Sequence, residues 1–336
     1  MAPVEKAESG NRPGEFALIE EVFAPLASGA EGAFALKDDA ALYRVEDGCE
    51  TILTVDAIVA GIHFLSDDPA ESVACKLLRV NLSDLAAKGA VPKGYLLVTA
   101  WADDTTFDWI KRFAAGLADD QKRYGVSLWG GDTVKTPGPL TLSLTAIGEV
   151  PIGGMILRGG ARPGDDLYVT GTLGDAALGL EVLKGRLSGL GHEDADWLVR
   201  RYREPEPRCS LGPRLRGLVH AGLDVSDGLL ADLGHICETS GTGARIEKDR
   251  LPLSAAAKMA LRQDERLFPL IAGGGDDYEI LFAAPPEMGN EIEAAAGEAS
   301  VRVTKIGRVT GPDEGVTLVD GAGHAIPLKQ LGYSHF

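Results

Sequence analysis

Aspartate side chains provide most of the chemistry that this sequence could perform. Nine of them stand at turns or at the ends of apolar runs, most beside glycine or another small residue: Asp38, Asp39, Asp56, Asp84, Asp132, Asp224, Asp227, Asp276 and Asp277. In α/β sheets, ligands bind at the carboxyl ends of strands, because loops and helix N-termini converge there. We therefore predict that several of these carboxylates face one site.

Converging carboxylates repel one another unless divalent cations lie between them. Oxygen ligands without a neighbouring His or Cys favour Mg²⁺ or Ca²⁺ over zinc. The alternative for any single aspartate is structural, since aspartate is a preferred N-cap and Asp175 and Asp227 each open a helical pattern. The joint pattern favours the metal site, because a cap does not require an apolar strand that ends in Gly-Gly-Asp, as at Asp132.

Other kinds of catalytic or binding site are weakly represented. The sequence has no GxxxxGK[ST] loop, no GxGxxG after a strand and no GxSxG elbow. A bound nucleotide would therefore be held by metals on aspartates and by cations such as Arg158 or Lys88. His63 follows the strand that carries Asp56, and a packed imidazole explains it as well as a substrate contact does. We assign no catalytic acid or base.

The elements that would position these residues alternate between helix and strand patterns. Helices are predicted at Glu15–Leu26, Ser72–Lys88, Phe107–Tyr124, Asp175–Leu183, Leu211–His220, Leu229–Thr239 and Glu287–Ala296. Strands are predicted at Ala33–Leu36, Thr51–Val55, Tyr95–Trp101, Val126–Trp129, Leu140–Val150, Asp166–Thr170, Leu223–Val225, Tyr278–Ala283, Arg302–Val309 and Val316–Leu318. The alternation predicts an α/β or α+β class.

The length of 336 residues favours two domains. Pro151–Gly164 is rich in Gly, Pro and Arg and marks the predicted boundary. We predict a disordered polar tail at residues 1–14, an N-terminal domain at 15–150 and a C-terminal domain at 151–336. A charged stretch at Gly185–Pro207 leads into the later helices.

Charge and hydropathy exclude several classes of partner. The formal charge of −17 opposes binding to nucleic acid or to an anionic membrane surface. No apolar run approaches the ~20 residues that span a bilayer, and the first residues lack a signal-peptide core, so we expect a cytoplasmic protein. The four cysteines are scattered, which makes disulfides and structural zinc poor predictions.

Five motifs in the same order resemble those of the thiamine-monophosphate kinase family. They are Thr54-Val-Asp-Ala-Ile-Val-Ala-Gly-Ile-His-Phe-Leu65, Val80-Asn-Leu-Ser-Asp-Leu-Ala-Ala-Lys-Gly-Ala90, Trp129-Gly-Gly-Asp-Thr133, Asp224-Val-Ser-Asp-Gly-Leu-Leu-Ala-Asp-Leu-Gly-His235 and Gly274-Gly-Asp-Asp-Tyr-Glu279. The resemblance covers nearly the whole chain, from about Gly14 to Phe336.

The resemblance implies ATP-dependent phosphorylation of thiamine monophosphate to thiamine diphosphate by a homodimer with several Mg²⁺ ions. It implies a two-domain fold like that of aminoimidazole ribonucleotide synthetase, with an N-terminal mixed sheet and helices and a C-terminal α/β domain. Carried over by motif, Asp38, Asp56, Asp84, Asp132, Asp224 and Asp227 would bind metal; Gly131, Asp132, Arg158 and Ser226 would contact ATP; His63, Asp276 and Tyr333 would contact the thiamine substrate.

Three residues depart from the family pattern. Lys37 places a cation where the family has Gly before Asp38. Val55 stands where Ser or Thr is common, so Thr54, the backbone at Val55 or water would replace a hydroxyl ligand of the metal. Asp276 replaces the more common Glu, which shortens that side chain by one methylene.

The expected reaction is an in-line attack by the phosphate of thiamine monophosphate on the γ-phosphoryl group of ATP, without a covalent enzyme intermediate. One alternative is another ATP-using enzyme of the superfamily, such as aminoimidazole ribonucleotide synthetase. A second is a regulator that binds Mg-ATP without catalysis, and a third is an acidic Ca²⁺-binding structural module.

Overall fold

The structure is a computed structural model that describes residues 12–327 and residue 332. The chain divides into two compact units. The first comprises Met1–Asn81 and Pro92–Glu149, and the second comprises Leu82–Val91 and Val150–Phe336. Most of the predicted tail at residues 1–14 lies outside the described residues.

The first unit contains a four-stranded sheet in the order β1-β4-β2-β3. Its strands are β1 (Cys49–Val59), β2 (Val91–Trp101), β3 (Ser127–Lys135) and β4 (Thr141–Pro151). Strands β2 and β3 are parallel, and the register shifts between Tyr95 and Leu96. This order leaves β1 and β3 at the two edges, and both carry predicted ligands.

Two long helices supply much of the first unit's core. A short helix, α1 (Glu15–Leu18), precedes the sheet, α2 (Ala70–Ala87) follows β1, and α3 (Phe107–Tyr124) connects β2 to β3. The hydroxyl oxygen of Thr106 accepts a hydrogen bond from the N–H of Trp109 at 3.2 Å, which caps the start of α3. Gly125 ends the helix in the left-handed conformation, as a C-terminal glycine commonly does.

Ion pairs connect these two helices to each other. Arg79 donates twice to the carboxylate of Asp120, at 2.7 Å each, and both side chains are buried. Arg112 pairs with Glu71 between the same helices, but these side chains are about half exposed. The buried pair therefore fixes α2 against α3 in a place that water reaches poorly.

The second unit contains a six-stranded sheet in the order β10-β7-β9-β5-β8-β6. Its strands are β5 (Asp166–Thr170), β6 (Ala221–Asp224), β7 (Gly243–Glu247), β8 (Ile280–Ala284), β9 (Val303–Thr310) and β10 (Val316–Val319). Strands β7 and β10 pair in parallel, and the other neighbouring pairs are antiparallel. The sheet is therefore mixed.

Helices cover both faces of this sheet, which explains why β5 and β8 are buried at every position. The helices of the second unit are α4 (Asp175–Leu183), α5 (His192–Arg203), α6 (Leu229–Ser240), α7 (Ala255–Gln263), α8 (Phe268–Gly273) and α9 (Gly289–Ala299). Leu281 and Ala283 of β8 pack in one cluster with α6, while the alternate residues Ile280 and Phe282 pack with α9. These two sheet-and-helix units confirm the predicted α/β (α+β) class.

Several predicted elements differ from the structure. The helix predicted at Glu15–Leu26 is divided into an α-helix at Glu15–Leu18, a π-helix at Ile19–Phe23 and a 3₁₀ segment at Ala24–Ala27. The strand predicted at Ala33–Leu36 is a 3₁₀ segment, Glu31–Leu36. The helix predicted at Leu211–His220 is reduced to Gly212–Leu215, because Gly212, Pro213 and Gly217 interrupt it. Conversely, the charged stretch Gly185–Pro207 contains α5, whose acidic first turn and basic last turn suit the helix dipole.

Among residues 12–327 and residue 332, no helix is both long enough and apolar enough to cross a lipid bilayer.

Replacing Arg79 by Met should lower the free energy of unfolding by about 3–5 kcal/mol, because the carboxylate of Asp120 would remain buried without its cation. Urea unfolding followed by circular dichroism measures this change. Arg112→Met is the matched control between the same two helices, and its exposed pair should cost less than about 1 kcal/mol. Equal losses in the two variants would contradict the assignment of Arg79–Asp120 as the stabilising pair.

Candidate active site

A cavity of about 720 Å³ lies in the first unit beside β3. Part of its lining is apolar or aromatic and comes from Ile19, Phe23, Leu36, Tyr43 and Trp129. Another part is acidic or open backbone and comes from Asp38, Asp39, Gly130, Gly131 and Asp132. The structure thus brings together three of the predicted ligands of metal and ATP: Asp38, Gly131 and Asp132.

Strand β3 positions Asp132. We predicted Asp132 in a turn after the strand, and this was wrong: β3 continues through Gly130 and Gly131 to Lys135. Asp132 lies opposite Val98 of β2, and Gly131 lies opposite Leu97. A Cβ atom at Gly131 would lie 1.8 Å from the carbonyl oxygen of Leu97, so only glycine allows this close pairing. Pairing with β2 therefore carries the strand past the glycines and holds Asp132 at a fixed register.

Hydroxyl groups also help to position Asp132 on β3. The hydroxyl of Thr133 accepts a hydrogen bond from the indole N–H of Trp101 at 2.8 Å and lies 2.9 Å from the hydroxyl of Thr99. The N–H of Thr133 donates to the carboxylate of Asp132 at 2.9 Å. These contacts restrict the backbone and the side chain of Asp132 together.

Asp38 follows a strained backbone segment. Phe34, Ala35 and Leu36 have φ values of 50°, 55° and 56°, a left-handed conformation that side chains other than glycine rarely adopt. The N–H of Asp39 donates to the carboxylate of Asp38 at 2.8 Å. Strained backbone of this kind is concentrated at binding sites, and here it leads directly into the acidic part of the cavity.

Strand β1 carries Thr54, Val55 and Asp56, which lie within the strand and not at its end as predicted. The apolar residues after Asp56 extend the strand to Val59. The N–H of Asp56 donates to the side-chain oxygen of Asn81 on α2 at 3.0 Å. Val55 is 60% exposed, whereas Thr54 and Asp56 are half-buried, because alternate residues of a strand face opposite sides.

His63 lies just beyond β1 and belongs to its own turn. The N–H of Val59 donates to Nδ1 of His63 at 3.1 Å, so Nδ1 is the accepting nitrogen and Nε2 carries the proton in the neutral ring. The carbonyl oxygen of His63 accepts a hydrogen bond from the buried Lys76 at 2.9 Å. These contacts fix the ring, and its role in substrate binding remains a prediction.

In the second unit, Asp224 is the last residue of β6 and is buried. Its carboxylate accepts a hydrogen bond from the hydroxyl of Ser83 at 2.7 Å. Lys88 donates to the carbonyl oxygen of Gly222 at 2.8 Å. Burial lowers the pKa of Lys88, the negative charges of Asp224 and Asp84 oppose this, and the positive charge of Arg158 adds to it. Asp84, Lys88, Arg158 and Asp224 are therefore electrostatic neighbours.

Two loops of the second unit bring together Ser226, Asp227 and Asp276. The N–H of Asp276 donates to the carbonyl oxygen of Ser226 at 2.8 Å, and the N–H of Tyr278 donates to that of Val225 at 2.8 Å. The apolar run before Asp276, one of the apolar runs that end at an aspartate, is the helix α8 and not a strand. Asp276 still contacts the loop that contains Ser226, as a shared site requires.

Sequence reasoning missed Asp232, although the motif Asp224–His235 contains it. The carboxylate of Asp232 accepts the N–H groups of Asp227 and Gly228 at 3.0 and 3.1 Å, and so closes the turn at the start of α6. Asp227, Asp232 and His235 each offer a ligand atom within 4.8 Å of the others. The sequence contained one indication of its role: Asp227 and Asp232 lie five residues apart across the start of a helix. A helix cap alone also explains this spacing.

Tyr333, which we predicted to contact the thiamine substrate, lies outside the described residues.

Comparison with known proteins places these residues in a family. Residues 37–150 match the family described as AIR synthase related protein, N-terminal domain, and residues 162–320 match the corresponding C-terminal domain. The thiamine-monophosphate kinase of Caulobacter vibrioides is 44% identical over 96% of this chain and 91% of its own length. That of Escherichia coli K12 is 40% identical over 96% of this chain and 98% of its own. The chain belongs to the thiamine-monophosphate kinase family.

Solved structures agree with this family. The thiamine-monophosphate kinase of Stenotrophomonas maltophilia has a TM-score of 0.79 and 36% identity, over 93% of this chain and 98% of its own. A structure of AaThiL complexed with AMPPCP and TMP has a TM-score of 0.76 and 31% identity, over 96% and 97% of the two chains. The hydrogenase maturation protein HypE reaches a TM-score of 0.76 at 18% identity, which shows only a shared fold.

Asp232 makes the stability of the fold depend on pH. Burial and, secondarily, the charge of Asp227 raise the pKa of Asp232 from its ordinary value of 3.8 to about 7, while backbone N–H groups oppose the rise. Between these two values the folded protein binds this proton more tightly than the unfolded chain. The free energy of unfolding should therefore fall as the pH rises through this window, by at most about 1.4 kcal/mol per pH unit.

Asp232→Asn should remove this dependence, so that the variant gains about 1–2 kcal/mol relative to the unmodified chain between pH 5 and pH 7. Urea unfolding with a chelator present, at both pH values, measures the gain. Asp313→Asn, at an exposed position, is the control and should show no such gain. The same difference in stability at pH 5 and pH 7 would refute the role of Asp232.

Proposed function

We propose that this chain transfers the γ-phosphoryl group of ATP to thiamine monophosphate, which yields thiamine diphosphate and ADP in thiamine diphosphate biosynthesis. The observation that carries the proposal is the cavity of about 720 Å³ in which Asp38 and Asp132 share a lining with apolar and aromatic side chains. Such a lining suits a nucleotide, whose base is apolar on its faces and whose phosphates need cations. Thiamine-monophosphate kinases that are 40–44% identical to this chain over 96% of its length support the same substrate pair.

The reaction requires little covalent chemistry from the protein. A phosphate oxygen of thiamine monophosphate forms a bond to the γ-phosphorus of ATP, and the bond from that phosphorus to the β,γ-bridging oxygen breaks, so that ADP leaves. The nucleophile is already an anion and does not need a general base. The protein must instead align the two phosphates and offset their repulsion.

Magnesium fits the donor set as the cation of this site. The candidate ligands are hard carboxylate oxygens, which Mg²⁺ prefers, with backbone and hydroxyl groups nearby. Several ions are expected, and the residues that would hold them are Asp38, Asp56 and Asp132 in the first unit and Asp84, Asp224 and Asp227 in the second. When bound, Mg²⁺ would offset the phosphate charges and polarise the oxygens to be transferred.

The other residues bind and orient the substrates. Gly131 of the first unit would let the phosphates of ATP approach the backbone of β3. In the second unit, Arg158 and Ser226 are the residues that would contact ATP. For thiamine monophosphate, the residue that would contact it in the second unit is Asp276, on the loop that pairs with Ser226, and the candidate in the first unit is His63. ATP is an intracellular co-substrate, and we therefore propose that the enzyme acts in the cytoplasm.

Rival functions have weaker support. The fold alone also suits other ATP-using enzymes of the superfamily, but the HypE structures share only 18–20% identity with this chain. Lys37 and the exposed Val55 are the features that favour a regulator without turnover. Neither feature removes a predicted carboxylate ligand.

Asp132→Asn should reduce kcat at least about 100-fold, because an amide cannot supply the negative charge that holds the cation. The assay incubates the protein with ATP, Mg²⁺ and thiamine monophosphate and measures thiamine diphosphate and ADP by chromatography. Asp104→Asn, an exposed aspartate of the same unit, should keep normal turnover. Near-normal turnover in both Asp132→Asn and Asp56→Asn would refute the site, and binding of ATP by the unmodified chain without formation of thiamine diphosphate would refute the function.

We also propose a homodimer formed by the open face of the first sheet. Leu53, Val55, Leu96, Val98 and Val134 are all exposed there, on strands β1, β2 and β3. Exposed large apolar side chains on several strands of one sheet are typical of an interface. A second copy of this chain is the proposed partner, as the family resemblance implies.

Leu53→Lys should convert a dimer to a monomer, because it places a charge in the apolar face. Light scattering coupled to size-exclusion chromatography measures the mass. Ile152→Lys is the control, since Ile152 is equally exposed but belongs to the second unit. A monomeric unmodified chain would contradict the proposal, and so would a Leu53→Lys variant that stays dimeric.

A further inference from the structure

Arg201 is a buried cation that the proposed reaction does not use directly. It lies in the last turn of α5, the helix that the sequence did not predict, and only 8% of it is exposed. Its Nη2 donates to the carboxylate of Glu279 at 3.0 Å and to the carbonyl oxygen of Asp277 at 3.2 Å. One guanidinium therefore connects α5 to two residues of the loop that carries Asp276.

Glu279 fixes the position of Arg201. It is fully buried, and its carboxylate also accepts hydrogen bonds from Arg208 at 2.7 Å and from the hydroxyl of Thr170 at 2.6 Å. Gly171 leaves the space for this cluster, because a Cβ atom there would lie 2.0 Å from Glu279 Oε1. Arg201 is thus held on its Glu279 side whether or not it bonds to Asp277.

The loop between these contacts has an unusual backbone. Asp276 and Tyr278 have φ values of 70° and 51°, in the left-handed region that side chains disfavour. Such a conformation persists only where surrounding contacts impose it. On one side, the N–H groups of Asp276 and Tyr278 bond to Ser226 and Val225. On the other side, Arg201 binds the carbonyl oxygen of Asp277, between the two strained residues.

The side chain of Asp277 also holds this loop in place. It is buried and accepts two hydrogen bonds from the N–H of Gly174, at 2.9 and 2.8 Å. The carboxylate of Asp276, in contrast, is half-buried and lies 3.2 Å from the hydroxyl of Tyr278. The buried contacts therefore hold the backbone of the loop, while the side chain of Asp276 stays partly accessible.

We infer that Arg201 is a positioning residue that sets the orientation of Asp276 toward the substrate by holding the carbonyl group of Asp277. The inference rests on the proposed function, in which Asp276 contacts thiamine monophosphate. Lysine does not replace Arg201 here, because its side chain is one bond shorter and its ammonium group ends short of the position of Nη2, from which both oxygens are bonded. The charge of the cluster would survive the substitution, but the hold on the loop would not.

The experiment measures steady-state kinetics for Arg201→Lys, Asp276→Asn and the double variant, with KM determined separately for thiamine monophosphate and for ATP. Arg201→Lys should raise the KM for thiamine monophosphate about tenfold and leave the KM for ATP within about twofold, because the change acts on one substrate contact. In the Asp276→Asn background, Arg201→Lys should add little, since the contact that it positions is already lost.

Arg200→Lys is the matched control, because Arg200 is the exposed neighbour of Arg201 on the same helix and stacks on Trp197. It should leave both KM values unchanged. Arg201→Gln repeats the test with an uncharged side chain, and thermal unfolding identifies any variant that does not fold. A folded Arg201→Gln variant is sufficient for the test if Arg201→Lys does not fold.

Independent, multiplicative effects of Arg201 and Asp276 would overturn the inference, and so would an equal rise in the KM for ATP. A normal KM in folded Arg201→Lys and Arg201→Gln variants would also overturn it. Each of these results overturns the inference alone when the unmodified chain makes thiamine diphosphate. An unmodified chain that makes none would overturn the proposed function, and this inference with it.

Discussion

Repulsion between negative charges is the constraint on which this structure depends. The predicted ligands are carboxylates, and both substrates of the proposed reaction carry phosphates. Groups of like charge separate or become protonated unless something holds them. Here the contacts that hold them run through the backbone and neutral side chains: Asn81 binds the N–H of Asp56, the ladder with β2 fixes Asp132, and the hydroxyl of Ser83 binds Asp224. The acids are thereby positioned without losing the negative charge that a cation needs.

Patterns within single elements allowed much of the fold to be predicted. Helix α3 and strand β5 have the predicted bounds. Apolar residues recur with helical spacing in α3 between the Thr106 cap and Gly125, and β5 is a short run of strand-forming residues that ends at Gly171. Prediction failed where contacts distant in sequence decide the conformation. Ala33–Leu36 reads as a short apolar strand, yet Ala33 packs against Ala27 and Ala30 in a 3₁₀ segment. Helix α5 is rich in charge, and its burial depends on partners that lie elsewhere in the chain.

In the candidate site, too, local patterns were predictable and contacts distant in sequence were not. The residue types and their spacing identified Asp38, Gly131 and Asp132, which the structure brings to one cavity. The spacing did not predict that Gly131 and Asp132 lie within a strand, because Gly-Gly before an aspartate suggests a turn until the pairing of β3 with β2 is known. Asp232 escaped prediction for a related reason. A carboxylate four residues into a helix is unremarkable in sequence, and only burial and the neighbouring Asp227 give it a pKa near 7.

Hydrogen bonds to charged groups hold the part of the backbone that is strained. Strands such as β3 need no more than ladder hydrogen bonds, since their backbone is unstrained. The loop at Asp276–Tyr278 adopts left-handed φ values twice, and here the contacts come from guanidinium groups and buried carboxylates. Hydrogen bonds to ionised groups are about twice as strong as neutral ones. A buried network of this kind is stable only when complete, because removing one partner leaves another charge unsatisfied. The loop therefore has one well-defined geometry, which is what a side chain needs if it is to select a substrate.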